Sequence, residues 1–149
     1  APFARQANPV DIDVLGLEVF VARNWESVNL VLGLTALDKD AEYGDTQVDA
    51  SFYALNFAKY RATVAFAYRF SNAFEFRIDS EYRAQEDNPL RVGDDSTFLS
   101  SAALVWQSDT LIGFGTSLIV DNVTDSEFQP FPGTPASGRQ VSLNASYSW

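Results

Sequence analysis

Between Lys59 and Arg83 charge recurs at alternate positions: Lys59, Arg61, Arg69, Glu75, Arg77, Asp79, Glu81 and Arg83. Successive side chains of an extended chain point to opposite faces. These residues therefore share one ionic row, which could pair internally or guide a charged ligand. Arg69 and Glu75 flank Ser71-Asn72-Ala73, and a tight turn there would set them opposite each other as a cross-strand ion pair. Asp79 and Glu81 are the only carboxylates two apart on the row. General acid–base work needs carboxyl groups in a pocket that separates their roles, and an open row offers none. The chain has no His and no Cys, which removes the common nucleophile–base pairs and most zinc sites. The segment DKDAEYGD, Asp38 to Asp45, spaces oxygen ligands as a calcium loop does but lacks its closing bidentate Glu. Neither catalysis, nor a metal site, nor a cofactor is expected.

Positioning such a row requires strands, and period-two alternation recurs along the chain with no sustained helical period. Seven strands are expected at about Asp11–Arg23, Val28–Leu37, Phe57–Phe70, Phe74–Arg83, Thr97–Trp106, Leu111–Asp121 and Arg139–Trp149. The pattern is sharpest where Tyr60, Ala62, Val64, Phe66, Tyr68 and Phe70 alternate with Lys59, Arg61, Thr63, Ala65, Ala67 and Arg69. Phe74, Phe76, Ile78 and Tyr82 likewise oppose the charged residues of the next strand, and Val141, Leu143, Ala145, Tyr147 and Trp149 alternate with polar partners. The lengths suit the ~9–11 residues of a tilted membrane strand better than the ~5–6 of a soluble sheet. Short links (Asn24–Ser27, Ser71–Ala73, Gln107–Thr110) take turns with long, acidic ones (Asp38–Asn56, Ala84–Ser96, Asn122–Gly138). Outer-membrane barrels combine tight periplasmic turns with extended outer loops in this way.

Composition agrees with that reading. Hydrophobic residues make up 46% of the 149 and aromatics 14%, yet mean hydropathy is only -0.10, so apolar and polar residues must interleave. No run approaches the ~18 apolar residues of a spanning helix. Ten basic against twenty acidic residues give a net charge of -10, which argues against nucleic acid as a partner. The opening APFARQANPV shows no basic start followed by an apolar core, so no signal peptide is expected within it.

The segment LIVDNVTDSEFQPFPGTPASGRQVSLNASYSW, Leu118 to Trp149, resembles the closing hairpin of TonB-dependent outer-membrane receptors. The correspondents are Asn122, Val123, Thr124 and Asp125, then Gly138 and Arg139, then a final strand with Tyr147 and a terminal Trp149. Gly16-Leu17-Glu18 and the hairpin entry FYALNFAKYRATVAF are similar to the same family, with Ala58 where many members have Pro. The resemblance implies an antiparallel transmembrane β-barrel of about 22 strands with a plugged lumen, of which this chain is a C-terminal segment without plug or TonB box. It also implies residence in the outer membrane and uptake of a scarce small-molecule ligand. The implied partners are membrane lipid, the rest of the barrel and plug, and TonB acting through that plug. The charged row would then face the lumen. The alternatives are a small complete outer-membrane barrel with a structural or adhesive role, its eighth strand in the first ten residues, and a soluble β-sandwich binding module.

Overall fold

The computed structural model describes residues 11–42, 57–88, 91–134 and 137–149. They form seven strands: β1 (Asp11–Asn24), β2 (Val28–Glu42), β3 (Ala58–Arg69), β4 (Phe74–Gln85), β5 (Ser96–Gln107), β6 (Phe114–Asp121) and β7 (Gln140–Tyr147). Each strand pairs antiparallel with the next, and the seven make one sheet in chain order. Among the described residues there is no helix. The expected all-β, antiparallel architecture is therefore present, built by β-branched and aromatic residues set at alternate positions.

Register carries the alternation from strand to strand. Arg23, Leu30, Phe66, Ile78, Ala102, Val120 and Val141 lie opposite one another in a row that crosses the whole sheet. A slip of a single residue would turn every side chain of a strand to the other face. A parallel row, Glu18, Thr35, Arg61, Arg83 and Thr97, runs across the opposite face. The sheet thus has an apolar face and a polar face.

Most strand ends fall within two residues of those read in the sequence, and two boundaries differ by more. β2 continues to Glu42, with Asp38 opposite Leu15 and Asp40 opposite Asp13. The ladder offered by the start of β1 outweighs the acidic composition that marked these residues as loop. Asp38 and Asp40 therefore belong to a strand, not to a calcium-like loop, while Asp45 lies outside the described residues. The second change is at β6, which begins at Phe114 and not at Leu111. Gly113 adopts a φ of 86° and the Phe114 N–H donates to the Leu111 carbonyl at 3.0 Å, which closes a turn before the strand starts.

The sheet is a single layer. Phe128, 8% exposed, is the one buried hydrophobic residue among those described. A soluble domain of this length would bury a core between two layers. The described residues form one sheet and not the two facing sheets of a sandwich. The eighth strand of a small complete barrel would fall in residues 1–10, outside those described.

Candidate functional site

The β3–β4 hairpin places the charged row on the polar face. A link at residues 70–73 closes it, with the Ala73 and Phe74 N–H groups donating to Ser71 Oγ at 3.3 and 3.1 Å. Arg69 then stands opposite Glu75. Their Nη2 and Oε2 atoms are 3.6 Å apart, the ion pair expected across this turn. Glu75 also receives Arg77 Nε at 2.5 Å. The arrangement repeats farther along the hairpin, where Glu81 takes Arg61 at 2.6 Å and Arg83 at 2.8 Å. Each glutamate is thus shared by two guanidiniums. Lys59, beside the register shift in β3, reaches Glu86 at 3.5 Å instead of a row neighbour. Asp79 lies opposite Ala65 and Ser101 and makes no ion pair among the described residues. Most of these cations are about half exposed, so each pair contributes at most ~1 kcal/mol. The row is an electrostatic surface with two surplus positive charges, one at each triad.

The residues singled out near the C-terminus divide into two places. Asn122 and Asp125 organise the connection between β6 and β7. Asn122 is buried, has a φ of 49°, and donates through Nδ2 to the carbonyls of Ser126 at 3.0 Å and Ser137 at 2.8 Å. Its Oδ1 accepts the Ser126 N–H at 2.9 Å. Asp125, φ 55°, accepts the Arg139 N–H on Oδ1 at 2.8 Å, and Gly138 passes beside that same oxygen. Asn and Asp tolerate the left-handed region best among non-glycine residues. Tyr147 and Trp149 lie at the opposite end, on the apolar face, with ring centroids 6.4 Å apart.

Sequence reasoning missed the tie between two long connections. Residues 122–134 and 137–139 fold over the polar face of β4 and β5. Gln85 Nε2 donates to the Pro130 carbonyl at 3.4 Å, Thr97 Oγ1 and Ser126 Oγ are 2.7 Å apart, and the Val92 N–H reaches Gln129 Oε1 at 3.4 Å. At the centre is Arg91, whose side chain is fully buried. Its guanidinium pairs with Asp95, donates to the Glu86 carbonyl at 3.2 Å and stacks 5.8 Å from the Phe128 ring centroid. Burial pushes its pKa down while nearby Asp87 opposes that shift. The available signal was Arg91 itself, a lone cation within EDNPLRVGDD. Beneath the infolded segment lies a recess of about 360 Å³.

Aromatic rings crowd the short-link end of the apolar face. Phe70 stacks on Phe74 at 5.6 Å, Trp106 meets Phe114 edge to face at 6.0 Å, and Arg23 lies over Trp25 at 5.7 Å. Exposed Tyr60, Tyr82 and Phe98 occupy the other end.

Chemically, the arrangement offers an apolar face and charged surfaces. Among the described residues no group of three or more acidic side chains is placed to hold a metal ion. No protein-family model matches the chain, and no curated protein matches it at a significant level.

Proposed function

We propose that this chain is a C-terminal wall segment of an outer-membrane β-barrel, belonging to a TonB-dependent receptor that takes up a scarce ligand. The observation that carries the reading is the broad, exposed and predominantly apolar face, broken near its middle by the hydrogen-bonded pair Ser80 and Ser100 and bounded at both ends by aromatic residues. Leu17, Val19, Leu34, Tyr60, Val64, Tyr82, Phe98, Leu104, Leu118, Val141 and Leu143 all lie exposed on it. Apolar area of this extent is a liability in water and marks a contact surface; lipid is the solvent that matches it.

Spacing supports the same medium. Tyr60 and Tyr68, Phe74 and Tyr82, and Phe98 and Trp106 each stand eight residues apart on their strands. At ~3.3 Å per residue and a tilt of ~40°, that interval spans a height of roughly 20 Å, close to the ~25 Å apolar band of such barrels. Backbone groups inside the sheet satisfy one another, as a lipid environment demands. The import role rests on the resemblance carried by Asn122, Asp125, Gly138, Arg139, Tyr147 and Trp149, with plug and TonB acting from outside this segment.

The test is a matched pair of substitutions in the full-length protein. Phe66→Arg puts a charge on the apolar face between Leu30 and Ile78, whereas Ala67→Arg adds one to the polar face beside Arg77. A charge on a lipid face near midplane costs ~2–4 kcal/mol. Phe66→Arg is expected to deplete folded protein from the outer-membrane fraction while Ala67→Arg leaves it near the wild-type amount. Equal amounts of both variants would overturn the assignment.

A further inference from the structure

The recess under the infolded segment has the makeup of a small-ligand site. Leu99, Phe128 and Pro130 give it apolar walls; Arg83, Ser101 and Ser137 give it polar ones. Its volume of about 360 Å³ falls at the low end of the ~300–1,000 Å³ typical of ligand pockets, which are mostly apolar with a few convergent polar groups. Among the described residues Arg83 is the one charged residue lining it, and no carboxylate does so.

The charge of Arg83 is incompletely used. Glu81 is divided between Arg61 and Arg83, so the triad carries one positive charge in excess. Arg83 spends Nη2 on Glu81, while its buried Nε–H finds no acceptor among the described residues. An unmet buried donor on a charged group is costly and calls for a partner. The roof is fixed, because Arg91 and Phe128 anchor the infolded segment and Asn122 ties its two ends.

We propose that this recess binds a small amphipathic anion, such as an aryl carboxylate, with the anionic head at Arg83 and the two serine hydroxyls and the apolar body against Leu99, Phe128 and Pro130. The proposal rests on the uptake reading only in taking the polar face as the inner wall. Guanidinium and carboxylate match as a two-pronged pair, and the hydroxyls can donate to the same group.

The experiment uses the full-length protein purified in detergent, with benzoate as probe, benzyl alcohol as its neutral counterpart and acetate as the anion without a ring. Calorimetry is expected to find benzoate bound at least tenfold more tightly than either control, and bound at least tenfold more weakly by Arg83→Gln. In that variant Glu81 keeps Arg61, so the sheet retains a paired carboxylate. Arg69→Gln, which removes an equal charge from the separate Glu75 triad, is expected to bind benzoate as the wild type does. Ser101→Leu, which fills the recess without changing its charge, is expected to abolish binding and serves if Arg83→Gln fails to fold. Equal benzoate affinity in wild type, Arg83→Gln and Ser101→Leu, or no benzoate binding by correctly folded wild type, would overturn the proposal. Heat-modifiable migration of the same preparations reports barrel folding separately. Folded membrane protein that ignores benzoate defeats the ligand site alone, whereas wild-type protein found free of the membrane defeats the wall reading.

Discussion

At the scale of single residues, the loop geometry turns on Asn122. Its amide joins carbonyls eleven positions apart, Ser126 and Ser137, and its backbone occupies the left-handed region. Alanine would remove these bonds and strain the turn, at a cost of about 1–3 kcal/mol. Asn122→Ala is expected to speed amide hydrogen exchange of residues 123–134 by roughly tenfold or more while β3 and β4 exchange at wild-type rates, as local opening requires. Uniform change over the chain, or none, would contradict a local clamp. Gly113 makes a second prediction. It has a φ of 86°, and a Cβ there would overlap the Ser148 carbonyl oxygen, whose residue donates its N–H to Gly113 at 2.9 Å. Gly113→Ala is expected to loosen the end of β7, read as lost protection at the Ser148 amide. Gly115→Ala, with an ordinary contact distance of 3.4 Å and no positive φ, should be tolerated better. The Arg69–Glu75 pair was legible because a turn of known length fixes which residues meet. The contact of Arg91 with Phe128 was not, since a loop's path over a sheet leaves no period in its sequence.

At the scale of elements, β7 is both the last strand and a sheet edge. Among the described residues Gln140 to Tyr147 pair with β6 on one side only, and an unpaired edge is a template for association unless another strand covers it. Trp149 is fully exposed beyond it, where an amphipathic ring suits a membrane interface. Deleting Trp149 from the full-length protein is expected to lower the heat-modifiable fraction in membranes severalfold. Val92→Ala, which trims another exposed apolar residue in a long connection, should leave that fraction unchanged. Indistinguishable yields would remove the role given to the terminal aromatic. β2 teaches a different lesson about elements. Its acidic end reads as loop by composition, but β1 presents backbone partners as far as Asp11, and paired strands extend where ladder bonds are offered.

At the scale of the whole molecule, parity matters. Consecutive antiparallel order makes β1 and β7 run in the same direction. Direct closure of these seven would need a parallel pair, unlike every other pair in the sheet. An antiparallel wall therefore closes only with an odd number of further strands. Expressed alone, the 149-residue chain is expected to aggregate in water through its two edges and its apolar face. Detergent should disperse it without giving the sharp heat-modifiable band of a closed barrel. A soluble, monodisperse chain by light scattering in detergent-free buffer would refute the account of that face.

The sequence by itself determined the strands, their number, their faces and the alternation of short and long links. A period of two needs no tertiary partner to be read, and a charge at every second position from Arg77 to Arg83 can only collect on one side of an extended chain. Tertiary structure decided the rest. Register brought Arg61 and Arg83 to the same glutamate, and the path of residues 122–134 covered that end of the polar face with a roof pinned by Arg91. Such contacts join segments some forty residues apart, as with Gln85 and Pro130. They exist because buried polar groups must find partners wherever the folded chain supplies them, and local sequence carries no record of where that is.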